Sequence, residues 1–241
     1  MKIALTVNGL TIDALFADEE IEQVHLPLLR LLAHKQRSKR GRLVVFLAAP
    51  PGSGKSTLTA FWQYLSAQHD ELPELQTLPM DGFHRPNAWL DAQGLRSKKG
   101  MPETFDREQL ELALAALEKT RPLWPTYDRI LHDPVPDAIE VTAPVVIVEG
   151  NWLLLDEPGW RDLARFSDLT LFIQAPAEQL RSRLVERKMR GGSSLEQAST
   201  FYQQTDGPNV DKVLQHSLPA TITLRWDNGG LHATERLFTS G

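Results

Sequence analysis

Apolar positions along the chain fall into short unbroken runs separated by longer stretches with helical spacing. Leu43–Leu47, Val145–Val148 and Leu169–Ile173 are continuous runs, rich in β-branched residues and too short for helices. They predict strands covered on both faces, as in a parallel sheet. Leu75–Met80 and Ala220–Trp226 predict two further strands. Between the strands, Leu58, Phe61, Trp62 and Leu65 recur at i, i+3, i+4 and i+7, the stripe of an amphipathic helix. Leu110, Leu114 and Leu117 line a second helix running through Lys119, whose start Asp106 and Gln109 mark as a capping box. Ala177–Arg190 reads as a helix, and Leu195–His216 as largely helical with an interruption at Gly207-Pro208. Strands alternating with helices give an α/β fold with a mostly parallel central sheet covered on both faces.

The first forty residues stand apart from that alternation. Residues 2–16 alternate Ile3, Leu5 and Val7 against Leu10, Ile12 and Ala14 around Asn8-Gly9, a β-hairpin with a two-residue turn. Its free edge could pair with the last strand or with a second subunit, which would make a homodimer. Glu19–Ala33 carries Ile21, Val24, Leu28, Leu31 and Leu32 on one helical face, with Pro27 set against it. Lys35–Arg42 holds five positive charges in eight residues and is read as a solvated connector. Arg85–Met101, rich in Pro, Gly, Asn and Lys, is read as a long connection, 122–136 as a Pro-rich segment with no strand assigned, and Asp227-Asn228-Gly229-Gly230 as a turn. The 241 residues then form one domain, with residues 1–40 as hairpin and helix and 42–226 as the core.

Composition narrows the classes. With 41% apolar and 24% charged residues the chain is of ordinary globular make-up. It has no Cys, which excludes disulfides and Cys-ligated metal and suits a reducing cytoplasm. No run approaches the ~18 apolar residues of a membrane span, and the N-terminus has no cleavage-like motif. A net charge of −5 argues against a nucleic-acid partner, so any anion site must be a local cluster.

Such a cluster follows the first core strand. Ala49-Pro50-Pro51-Gly52-Ser53-Gly54-Lys55-Ser56-Thr57 fits the P-loop pattern G-x-x-x-x-G-K-[ST], with Ala49 in place of the first Gly. Pro51, Gly52, Ser53 and Gly54 allow a nest of backbone N–H groups, and Lys55, Ser56 and Thr57 open a helix whose positive end meets phosphate. Lys55 would reach the β/γ oxygens of ATP, and the Ser56 hydroxyl would ligate Mg²⁺. A P-loop protein needs a second acid at a neighbouring strand end. Val145–Val148 delivers Glu149 there, whereas Leu153–Pro158, which taken alone looks like an ABC-transporter Walker B segment, has no L-S-G-G-Q upstream. Asp91-Ala92-Gln93-Gly94 fits the D-x-x-G of GTPases, but no N-K-x-D accompanies it.

From Met80 to Gly150 the chain resembles bacterial pantothenate kinase and its relatives, the uridine kinase and phosphoribulokinase group. The matching pieces are M-D-G-F-H-R-P-N at 80–87, K-K-G-M-P-E-T-F-D at 98–106, the Tyr127–Pro136 stretch, and V-I-V-E-G at 146–150, in the family's order after the P-loop. The resemblance implies a P-loop NTPase three-layer sandwich and an ATP-dependent kinase acting on a hydroxyl of a small metabolite: pantothenate-like, nucleoside or sugar. Pantothenate kinase has Tyr-Ser-His where this chain has Tyr127-Asp128-Arg129, nearer the Tyr-Asp of uridine kinase, which leaves the acceptor open. Asp81 is then the candidate base, and His84, Arg85, Tyr127 and Arg129 the candidate acceptor-binding residues. Arg181, Arg183, Arg187, Lys188 and Arg190, before Gly191-Gly192, resemble the family's lid, with Arg183 and Arg187 stabilising the transferred group. The competing class is an ATPase or nucleotide-sensing regulator coupled to a protein partner.

Overall fold

A computed structural model describes residues 1–7, 9–227 and 230–234. The N-terminal hairpin pairs β1 (Lys2–Val7) with β2 (Leu10–Leu15), Ile3 opposite Ala14 and Leu5 opposite Ile12. Asn8 of its expected turn lies outside the described residues. Next comes one helical run: α1 (Asp18–Glu20), a π-helical turn (Ile21–His25) and α2 (Leu26–Ser38). The π turn explains how the run tolerates Pro27. The widened turn shifts the hydrogen-bond pattern just where Pro27, in the first turn of α2, has no N–H to give.

The core then alternates β3 (Leu43–Ala48), α3 (Lys55–Gln68), β4 (Leu75–Pro79), α4 (Asn87–Ala92), α5 (Arg107–Ala116), β5 (Leu123–Asp128), β6 (Asp133–Glu140) and β7 (Val145–Gly150). It continues with β8 (Leu169–Gln174), α6 (Ala177–Arg190), α7 (Leu195–Phe201), a π turn (Tyr202–Asp206), α8 (Gly207–Gln215), β9 (Ile222–Asp227) and β10 (Gly230–Ala233). The main sheet has the order β10-β9-β8-β3-β7-β4, parallel except for β10, which runs antiparallel to β9 at one edge. The expected P-loop three-layer sandwich is therefore present. β10 was not expected, and Asn228 and Gly229 of the turn before it lie outside the described residues.

Strand alternation splits the core between the two faces. Leu43, Val45 and Leu47 of β3 pack with α2, α3 and the hairpin, while Val44, Phe46 and Ala48 pack with α5, Trp124 and the Trp152–Leu155 segment. All six residues of β3 and of β7 are buried, which is why both read as continuous apolar runs. The hairpin forms its own two-stranded sheet and does not add to the edge of the main one. It is fastened instead through Leu5, 5% exposed, and through Phe16, whose ring stacks on Phe61 of α3 at 3.6 Å.

Two expectations on connections are corrected. Segment 122–136 does hold strands: β5 and β6 pair antiparallel, with a register shift between Trp124 and Thr126 where Pro125 has no N–H for the ladder. Lys35–Arg42 is not a solvated connector throughout. Arg42 donates to the carbonyls of Leu117, Lys119, Thr120, Val141 and Ala143, so its guanidinium ties the end of α5 to the approach of β7.

Candidate active site

Three strand ends build the site. After β3 the chain turns through Gly52 (φ 80°) and Gly54 (φ 84°), both left-handed, which only glycine adopts without strain. A Cβ at Gly52 would stand 2.9 Å from Leu184 Cγ, so the loop also needs glycine to pack under α6. α3 begins at Lys55 with no side-chain cap on its first N–H groups, the arrangement that receives anionic oxygens. The Ser53 hydroxyl is buried with no hydrogen-bond partner among the described residues. Trp226 on β9 holds the loop from the far side, its Nε1 donating to the Ser53 carbonyl at 2.9 Å.

β7 carries Glu149 to the loop, pairing it with Leu47 of β3 and Pro79 of β4. The Ser56 hydroxyl donates to Glu149 Oε1 at 2.8 Å, and Lys55 Nζ stands 3.9 Å from Oε2. Burial pushes the Glu149 carboxyl above the usual range, with Lys55 pulling it back. Asp81 sits on the 3₁₀ turn Met80–Phe83 that ends β4. A Cβ at Gly82 would lie 2.5 Å from the Pro125 carbonyl carbon, and one at Gly150 would lie 2.5 Å from Met80 Cβ. Glycine at 82 lets the Asp81 turn close against β5, and glycine at 150 lets the end of β7 close against that turn. Arg129 Nη2 stands 3.7 Å from Asp81 Oδ2.

Two cavities share this point. One, of about 540 Å³, is lined by Tyr127, Glu149, Thr77 and the tip of the hairpin. The other, of about 450 Å³, lies over the P-loop and is lined by Pro51, Gly52, Gly54, Lys55 and Thr57, with Arg183 and Arg187 of α6 opposite. Val7, Leu10, Ser56, Asp81 and Arg129 line both.

The remaining candidates divide. Arg183 stacks over Trp226 at 5.2 Å, and burial lowers its pKa. Arg187 faces Asp206, whose carboxyl burial pushes up and Arg187 draws down. The other cations of that helix turn away from the cavity: Arg181 lies over Tyr202, Lys188 over Phe201, and Arg190 pairs with Glu186. His84 is not solvated. It stacks on Phe105 at 3.9 Å, and its Nδ1 is buried without a partner among the described residues. Burial lowers its pKa to about 4, so the ring is neutral at pH 7. Tyr127 is pushed up to about 12 by burial and then by Asp81 and Asp133. Arg85, named with His84 as an acceptor contact, lines neither cavity; it pairs with Asp106 at 2.7 Å and covers Trp89, pinning α4 to the start of α5. Asp156 and Glu157 pair with Arg161 and Lys212, and Asp91 with Arg96, all outside both cavities.

Sequence reasoning passed over Lys99 and Asn151. Lys99 Nζ donates to Asn87 Oδ1 at 2.5 Å and lies 4.9 Å from the Tyr127 ring, and burial lowers its pKa. Asn151 Oδ1 is buried and unpartnered among the described residues beside the P-loop cavity. Both were within reach: Lys99 is in the K-K-G-M-P motif, and Asn151 follows the acid of V-E-G by two places.

The fold and its loop define a P-loop nucleotide-binding protein of the kinase class. No family model matches the chain. It is 56% identical to the uncharacterized protein YggC of Escherichia coli (strain K12) over 236 residues, 97% of this chain and all of that one. It is 29% identical to a pantothenate kinase of Nocardioides sp. over 257 residues, 87% of this chain and 78% of the relative. A crystal structure from Silicibacter sp. TM1040, described as a candidate fructose transport system kinase, is 36% identical with a TM-score of 0.75, covering 83% of this chain and 98% of that one. The chain belongs to the P-loop small-molecule kinases of the pantothenate kinase and uridine kinase group. No helix among the described residues is long and apolar enough to cross a membrane.

Proposed function

We propose that the protein transfers the γ-phosphoryl group of ATP to a hydroxyl of a small metabolite. The observation that carries this reading is the sharing of Ser56, Asp81 and Arg129 between the P-loop cavity and a second cavity large enough for an acceptor. A regulator that only hydrolyses ATP has no use for that second cavity. The relatives' names, pantothenate kinase and fructose transport system kinase, supply the acceptor classes to try first.

In this reading the backbone N–H groups of Gly52, Ser53 and Gly54, with the opening of α3, cradle the phosphates. Lys55, Arg183 and Arg187 neutralise charge that spreads over the transferring oxygens. The acceptor hydroxyl lies against Asp81, whose carboxylate takes the proton as the oxygen attacks, and Arg129 holds that carboxylate in place. Tyr127 closes a side of the acceptor cavity and the neutral His84 a side of the P-loop cavity, and both exclude water. Ser56 and Glu149, already in contact, form an all-oxygen pair of the kind a hard cation accepts, and the buried, unpartnered Ser53 hydroxyl fits a loop built for polar ligands. Mg²⁺ held there would supply further neutralisation of the β- and γ-phosphates.

The test is an ADP-release screen with ATP and pantothenate, nucleosides, sugars and glycerate. ADP release is expected to be slow alone and faster by at least about tenfold with the right acceptor. Turnover raised by a protein partner and by no metabolite would replace the kinase with the regulator.

A further inference from the structure

The cavity of about 540 Å³ extends past Asp81 to a wall of neutral side chains, of which Val7 and Leu10 also border the P-loop cavity. The hairpin supplies Thr6, Val7 and Leu10 to it, α3 supplies Gln63 and β4 supplies Thr77. The charged side chains lining this cavity, among the described residues, are Asp81, Asp128, Arg129 and Glu149, and none of these comes from the hairpin, α3 or β4. Asp128 is engaged by the backbone N–H groups of Ile130 and Leu131 at 2.7 and 2.9 Å. Arg129, the lone cation of this lining, stands at Asp81.

Thr77 adds an independent observation. Its hydroxyl oxygen is shielded from solvent yet has no hydrogen-bond partner among the described residues, although the residue lines the cavity. Its own N–H is satisfied by Gln63 Oε1 at 3.2 Å, so the side chain is not needed for the backbone. A shielded hydroxyl left unpaired is costly, and a ligand atom would relieve it. A phosphate or carboxylate brought beside Thr6, Gln63 and Thr77 would face three acids in this lining and one cation, Arg129, which already stands at Asp81.

We propose that the N-terminal hairpin is the far wall of the acceptor site, selecting acceptors whose end remote from the phosphorylated hydroxyl is uncharged and partly apolar, with one polar atom for Thr77. This rests on the kinase reading above. It makes the hairpin, which lies outside the alternating core, a determinant of acceptor identity.

The test uses the full chain, ATP and acceptors matched in shape but differing in terminal charge: pantothenol with pantothenate, D-fructose with D-gluconate, and uridine with orotidine. In the pair that is turned over, kcat/KM is expected to favour the neutral member by at least about tenfold, since a lining with three acids and its one cation already engaged disfavours an anionic end. Thr77→Val should raise KM for that acceptor about tenfold while KM for ATP moves less than about twofold. Thr6→Lys, on the exposed side of β1, adds a cation to the wall without disturbing packing and should narrow or reverse the preference. Preference for the charged member overturns the inference, as does a preference and acceptor KM left unchanged by both variants; in either case the kinase reading survives. If the protein binds ATP yet phosphorylates neither these acceptors nor any other metabolite of the screen, the kinase reading itself fails and takes this inference with it.

Discussion

Ser56 and Glu149 are in direct contact, and that contact shows how the two residues balance a buried charge. A carboxyl 3% exposed sits above its usual range and is steadied by a hydroxyl and an ammonium. In the proposed function, removing the hydroxyl would take away a metal contact and leave the phosphate cradle alone. Ser56→Ala should therefore weaken Mg²⁺-ATP by about tenfold or more while metal-free ATP binds within about twofold, as read by titration calorimetry with and without Mg²⁺. Equal weakening of both would contradict that role. His84 gives a second test at this scale. Its folded pKa of about 4 lies below the ordinary 6.5, so the unfolded chain binds more protons between those values. The stabilisation is complete above pH 6.5 and is lost as pH falls toward 4. Between pH 7 and 4.5 the group alone should account for about 2 kcal/mol. Denaturant unfolding at those two pH values should show His84→Gln losing that much less than the native chain, and an unchanged acid slope would mean the ring is not held neutral.

At the scale of elements, the sequence was most readable where one physical cause dominated. β3 and β7 are buried on both faces, so their apolar runs announced themselves, and Gly54-Lys55-Ser56 announced the helix start that follows. The hairpin of β5 and β6 was hidden by Pro125, Pro134 and Pro136, residues that local rules assign to loops; it forms because a bulge at Pro125 absorbs the missing N–H. Arg85 was misplaced for a different reason. It adjoins His84 in sequence, but its partner Asp106 is 21 residues on, a distance that local pattern cannot see. Thr77, Gln63 and the hairpin tip face one cavity only after three separate elements are packed together. That packing is itself testable. The Phe16 ring is 5% exposed and stacked on Phe61, so Phe16→Ala should cost about 3–5 kcal/mol in denaturant unfolding. A loss below about 1 kcal/mol would mean that the hairpin is held too loosely to serve as a wall.

Across the whole molecule, five parallel strands converge their carboxyl ends on one region, and the sheet order sets what meets there. β3 brings the phosphate loop, its neighbours β7 and β4 bring Glu149 and Asp81, and β9 on the other flank brings Trp226 under both Ser53 and Arg183. Each cavity taken alone would suit a binding protein; their sharing of Asp81 is what supports the proposed transfer between them. The most direct measurement is therefore steady-state kinetics of Asp81→Asn against the native chain with the acceptor found by the screen, recording kcat, both KM values and melting temperature at two Mg²⁺ concentrations. The substitution keeps shape and most hydrogen bonding and removes the basic oxygen. The expected result is a kcat lower by about 10²- to 10⁴-fold, with both KM values and the melting temperature nearly unchanged and no rescue by excess Mg²⁺. A kcat close to native would contradict the account.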